Sequence, residues 1–213
     1  MTVSDLHAWP EIHTTKLDAA RRQLDAAIRL LFSGGDSLAI HTLAFASYGL
    51  LSDLAKVAEC SEIYVRLSED SKLREGKEFW NDLKKLSNYL KHADKDPEAY
   101  IRGIPVEINE ATLLICCFFL RELDQLSSPE TQALWLWHHA LYFINIDDAP
   151  KEYWEWIDDN HQSLHSETRR EKIEIGEGLL NRLLKEKTSI HKMEPDQVFM
   201  PWRLIIRPTT ISS

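Results

Sequence analysis

Apolar residues recur at three- and four-residue spacing from Thr14 to Phe32. Leu17, Ala20, Leu24, Ala27, Ile28 and Leu31 form one stripe, while Asp18, Arg21, Arg22, Asp25 and Arg29 fill the other side. This period predicts an amphipathic helix. Ser33-Gly-Gly35 stops it, and Asp36 or Ser37 supplies a side-chain oxygen that can start the next. The second helix carries Ile40, Leu43, Leu50, Leu51, Leu54 and Val57, and so short a connection predicts an antiparallel hairpin. After a mixed stretch over 59–73, a third helix is expected from Glu75 to about His92, with Phe79, Leu83, Leu86 and Leu90 on one stripe. Asn109 is the expected cap of a fourth helix ending near Leu126. Its run from Leu113 to Leu120 is apolar almost all round, which makes it the expected most buried helix.

Past Ser127-Ser-Pro129 the chain becomes rich in Trp, with Trp135, Trp137, Trp154, Trp156 and Trp202, and helical spacing continues over 130–144, 151–164 and 167–186. Gly176 and Gly178 weaken the middle of the last helix. Residues 197–207, between prolines, have an extended pattern around Phe199, Trp202 and Ile205. The expected class is all-α: an antiparallel helical bundle over 1–126. A Trp-rich helical extension over 127–213 packs on it to make one compact unit, ending in a short extended tail.

Composition narrows the range of functions. With 25 basic and 34 acidic residues the net charge is -9, which opposes unspecific nucleic-acid binding over the whole surface but permits a local basic patch. Cys60, Cys116 and Cys117 form neither a disulfide framework nor a zinc motif. The first ten residues lack the basic start and apolar core of a secretory signal, and the longest apolar run is far short of a membrane span, so a cytoplasmic protein without membrane attachment is expected. Large apolar residues in excess of one bundle's needs, including the run from Phe199 to Ile206, predict a two-fold homodimer.

Side chains capable of chemistry are densest in Asn88-Tyr-Leu-Lys-His-Ala-Asp-Lys-Asp-Pro97. Asn88 and His92 lie one turn apart on one helix face. Asp94, Asp96 and Pro97 carry the turn chemistry that ends the helix there. The same residues also suit a plain role in closing the helix end through hydrogen bonds to loop carbonyls.

Two helices followed by a third ending in Asn-Tyr-Leu-Lys-His92 resemble the HEPN superfamily over residues 14–126. The resemblance implies a four- or five-helix domain that works as an RNase or RNA-binding module. The family's catalytic motif places an Arg before a His with four to six residues between them. The corresponding positions here hold Lys85, Leu86 and Ser87, so the motif is incomplete and His92 alone carries over. In an RNA-cleaving reading, His92 is the base for the ribose hydroxyl, and Lys91 or Lys85 faces the phosphate. The candidate catalytic set is therefore His92, Asn88 and Lys91, and the candidate ligand-binding set is Lys85, Asp94, Asp96 and His41.

His41, His92, Asp94, Asp96, His138 and His139 are metal-ligand types, but their separations match no compact ligand motif, and no metal or other cofactor is assigned. Trp135, Trp137, Trp154 and Trp156 could stack on nucleobases, yet their spacing fits core or interface packing better. The leading expectation is a HEPN-like module acting through RNA or a protein partner, without efficient catalysis. A metal- or small-molecule-binding enzyme using the His92 cluster and a structural subunit of a larger assembly are the alternatives.

Overall fold

A computed structural model describes residues 11–60, 67, 74–123, 125, 127–142 and 151–186. The described residues are all-α, with no strand among them. The helices are α1 (Lys16–Phe32), α2 (Ser37–Val57), α3 (Arg74–Lys91), α4 (Ile108–Glu122), α5 (Pro129–Tyr142), α6 (Lys151–Ser166) and α7 (Arg169–Glu186). The run expected to be extended over 197–207, with Trp202, lies outside the described residues, as does most of 59–73.

Local chemistry accounts for the helix starts. Thr15 accepts from the backbone of Asp18 and caps α1, while Asp36 accepts from Leu38 and Ala39 and caps α2. Pro129 takes the first helical position of α5, where its missing N–H costs nothing, and Ser128 and Thr131 exchange side-chain and backbone hydrogen bonds around it. Thr168 and Glu171 form a reciprocal capping box at the head of α7. The turn between α1 and α2 closes by a double hydrogen bond, Gly34 N–H to Leu31 O and Gly35 N–H to Leu30 O. Gly34 supplies the positive φ of 69° that this ending needs.

Asn109 is not the cap of α4. It lies inside the helix, where its amide donates to Ser37 O at 2.9 Å and its oxygen sits 3.1 Å from His41 Nδ1. Glu107 occupies the cap position without a side-chain bond, and a tight turn closes the end through Ile108 N–H to Pro105 O. The sequence offered Asn as the likeliest capping type nearby, but its carboxamide is used to tie α4 to α2 instead.

Helix α1 is the seam of the molecule. One side packs with α2 and α4, and α3 lies against α2; its other side meets α5 and α7, which together with α6 make the second half. Leu24, Ala27, Ile28, Leu31 and Phe32 of α1 join a core that runs without a break from α2 to α7. Every residue of α4 from Ile108 to Leu120 is buried, as the apolar run predicts. Helix α5 is buried just as fully, from Glu130 to Leu141, so the Trp-rich segment contributes a central helix. Trp135 meets Phe118 edge to face at 5.2 Å, and Trp137 meets Phe32 at 5.6 Å while its indole N–H donates to Lys172 O. Arg29 pairs with the buried Glu130, and Ser128 donates to Asp25 at 2.6 Å, fixing the head of α5 to α1. Among the described residues α2 alone has the length and apolar character of a membrane-crossing helix. Here Ile40, Ala44, Leu51 and Ala55 place it in the core, which is where such a helix sits in many globular folds.

Candidate functional site

Helix α3 brings its polar face to a lip just before the Asp/Pro turn. Residues Lys85, Asn88 and His92 recur at helical spacing, so their side chains stand above one another. Beyond Lys91 the chain turns sharply: Lys95 N–H donates to His92 O at 3.2 Å, and Ala99 N–H donates to Asp96 O at 3.0 Å. These turns fold residues 95–101 back beside the helix. The result is an open pocket of about 400 Å³ lined by Lys85, Asn88, Tyr89, His92, Lys95, Asp96, Ala99, Tyr100 and Ile101.

His92 is partly exposed in this pocket, and its backbone N–H still closes the last turn on Asn88 O at 3.1 Å. Four of the residues singled out by sequence, Lys85, Asn88, His92 and Asp96, therefore meet at one place. Three others do not line it. Asp94 is exposed in the turn. Lys91 lays its ammonium over the Phe45 ring, 4.6 Å from the centroid, and so serves a cation–π contact with α2. His41 is wholly buried on α2, its ring stacked on Phe45 at 5.9 Å. Burial lowers its pKa, against the opposing effect of its bond to Asn109, and the Lys91 charge lowers it further.

Sequence reading missed the two tyrosines and Lys95. Tyr100 is 78% exposed and Tyr89 36%, an unusual display of aromatic surface flanking a polar pocket. Arg102 stands over the Tyr100 ring at 5.1 Å. The available signal was the interleaving of Lys, Tyr and Arg across 84–102, which holds five basic and three acidic residues in a chain of net charge -9.

The other histidines are structural in their surroundings. His139 donates from Nδ1 to Trp135 O at 2.7 Å and stacks on the Trp135 ring at 4.5 Å; burial pushes its pKa down to about 4. His138 is buried beside Tyr142, with ring centroids 4.8 Å apart. Among the described residues, no three His, Cys, Asp or Glu side chains are grouped closely enough to hold a metal ion. Compared with known protein families, with curated proteins and with solved structures, the chain matches none.

Proposed function

We propose that the protein is a HEPN-like helical module that binds single-stranded RNA at the pocket beside His92 and does not cleave it efficiently. The observation that carries this reading is the sharing of one pocket by two lysines, an imidazole and two exposed tyrosines. Each has a role in holding an unpaired strand. Lys85 and Lys95 are point charges for phosphate. Tyr89 and Tyr100 offer faces on which bases stack, and stacking tolerates any sequence. His92 and Asn88 supply hydrogen-bonding groups for a phosphate or a ribose hydroxyl. The acidic remainder of the chain repels RNA elsewhere and confines binding to this end of α3.

Weak catalysis follows from what the pocket holds. Cleavage by the ribose hydroxyl requires a base, an acid for the leaving oxygen and a clamp on the phosphate. His92 is the single imidazole of the pocket, and a lysine replaces the bidentate arginine clamp at position 85.

Fluorescence anisotropy with a labelled single-stranded RNA of mixed sequence tests the proposal. Replacing Lys85 and Lys95 together by Ala should weaken binding and flatten its salt dependence by about 1.4 in log–log slope, roughly 0.7 for each phosphate contact. Tyr100→Ala should weaken it by about 1–3 kcal/mol without altering that slope. Wild-type protein that fails to bind, or binding untouched by these variants, rejects the reading. Rapid cleavage abolished by His92→Ala would instead make the site catalytic.

A further inference from the structure

A second and larger cavity lies beside the first turn of α2. About 700 Å³ in volume, it opens between the α1–α2 turn, the head of α4 and the first two turns of α7. Its size is that of a small-molecule site. The floor is apolar, made by Phe32, Ile40 and Ile173, all buried. Of the polar lining, Asn109 is buried and engaged with Ser37 and His41, and Arg169 is the key group at the rim.

Arg169 is held from behind. Its Nη2 lies 2.6 Å from the Glu110 carboxylate, which is buried, and its Nη1 is 3.8 Å from Glu107. A guanidinium has five N–H donors in one plane, so this backing fixes its orientation and leaves donors for the cavity side. The neighbouring Arg170 also lines the cavity but pairs with Glu174 beside it, Nε to Oε1 at 2.8 Å, so the two charges offset each other on the rim. Glu177 lies eight residues along α7 from Arg169, roughly 12 Å on the helix axis, too far to compete for the same ligand group. The cavity thus presents an apolar floor with Arg169, backed by acids outside the lining, at one end and the Arg170–Glu174 pair beside it.

We propose that this cavity binds a small organic anion, a carboxylate or phosphate carried on an apolar or aromatic body, with the charged head on Arg169 and the body on Phe32, Ile40 and Ile173. The site is separate from the His92 pocket and independent of RNA binding there. Binding has a chemical signature, because Glu110 then shares with the ligand the cation that touches it, Arg169. The charges facing Glu110 are Arg169 and Lys172 on α7, Glu107 on its own helix, and the Tyr142 hydroxyl on α5. Burial already raises Glu110 to a pKa of about 7, with the two cations opposing. Drawing Arg169 toward an added anion favours the protonated carboxyl further, so binding above neutral pH takes up as much as one proton.

Titration calorimetry of the full chain with phenyl phosphate, benzoate and benzyl alcohol, run at about pH 8 in two buffers of different ionisation enthalpy, tests both parts. The expected result is saturable binding of at least one anion, about tenfold or more tighter than benzyl alcohol, as one charged hydrogen bond would give. Whichever anion binds tighter identifies the head group. Arg169→Gln should remove that preference. Val106→Trp blocks the cavity from a half-exposed position on its rim and should abolish binding without touching the core. Glu110→Gln should retain binding but lose the buffer-dependent proton uptake. No binding of either anion, equal binding of benzyl alcohol, or anion binding unaltered by both Val106→Trp and Arg169→Gln in folded protein overturns the proposal.

Discussion

Gly176 of α7 rests directly on the Phe32 ring of α1: a Cβ built on the glycine would lie 2.2 Å from Phe32 Cε1. The ring cannot retreat, because Phe32 is buried and meets Trp137 edge to face on another side. An alanine at 176 would gain about 1 kcal/mol of helix propensity but force two packed helices apart, at a cost of about 1–3 kcal/mol. Gly176→Ala should therefore lower stability on balance. Gly178, two residues on, is exposed with nothing within 4 Å of its Cβ position, and Gly178→Ala should raise stability by about 0.5–1 kcal/mol. Urea midpoints of the two variants should move in opposite directions; movement in the same direction would mean that α1 and α7 are not in contact.

The end of α2 holds a residue in an unfavourable conformation. Glu59 has φ of 56°, and around it Glu59 N–H donates to Lys56 O and Cys60 N–H to Ala55 O, the same double closure that Gly34 serves after α1. Glu59 is exposed, and its carboxylate contributes nothing that the turn requires. Glu59→Gly should stabilise the protein by about 1 kcal/mol, because only the glycine adopts this conformation freely. A lowered thermal midpoint would show that the turn is not formed.

Much of the fold was legible because helix period and cap chemistry are local. The stripe from Leu17 to Leu31, the Asp36 cap and the all-round apolar run from Leu113 to Leu120 each state their outcome within a few residues. Gly176 was read as a weak point, and it is one for an isolated helix. Its purpose is a partner 144 positions earlier, which no local pattern reveals. The same holds for Asn109, an apparent cap whose partners His41 and Ser37 come from another helix. The His92 pocket was half visible. Helical spacing grouped Asn88 and His92, and the family motif's spacing pointed to Lys85, whereas Tyr100 joins them through a reversal of the chain after Asp96. Glu110 did carry a signal: it is a carboxylate in a helix otherwise apolar from Ala111 to Leu120, apart from Thr112.

Phe118 tests the centrality of α4. Its side chain is 4% exposed, packed on Trp135 and covered on another side by the Arg121 guanidinium, whose carbon stands 5.8 Å from the ring centroid. Phe118→Ala should cost about 3–5 kcal/mol, the range for deleting a buried aromatic ring. The equilibrium denaturation midpoint measures it, and a midpoint unchanged from wild type would place the helix at the periphery.

Buried imidazoles and one buried carboxyl set opposing pH dependences. Burial lowers the pKa of His41, His138 and His139, the last to about 4 from an ordinary 6.5. For each, the unfolded chain takes up its proton first, so the stability contribution is complete above about 6.5 and is lost as the pH falls through the lowered folded value. Glu110 behaves in the reverse sense. Its raised pKa of about 7 makes its contribution complete below the ordinary 4.5 and lost as the pH rises toward 7. Between 4.5 and 6.5 His138 and His139, both held well below 6.5, outweigh the one carboxyl, and His41 acts in the same direction, so stability should climb with pH in that window and then dip slightly as Glu110 finishes ionising. His138→Phe replaces a buried ring whose Nε2 has no hydrogen-bond partner among the described residues by an apolar ring of similar shape. It should leave neutral-pH stability close to wild type and reduce the acid-side slope by about 1.4 kcal/mol per pH unit, the equivalent of one proton. Glu110→Gln should abolish the dip near pH 7 and leave the acid side steeper. Urea unfolding at half-unit pH steps measures both slopes. An acid slope unchanged by His138→Phe would mean that His138 is already protonated in the folded protein and that α5 is not packed around a neutral ring.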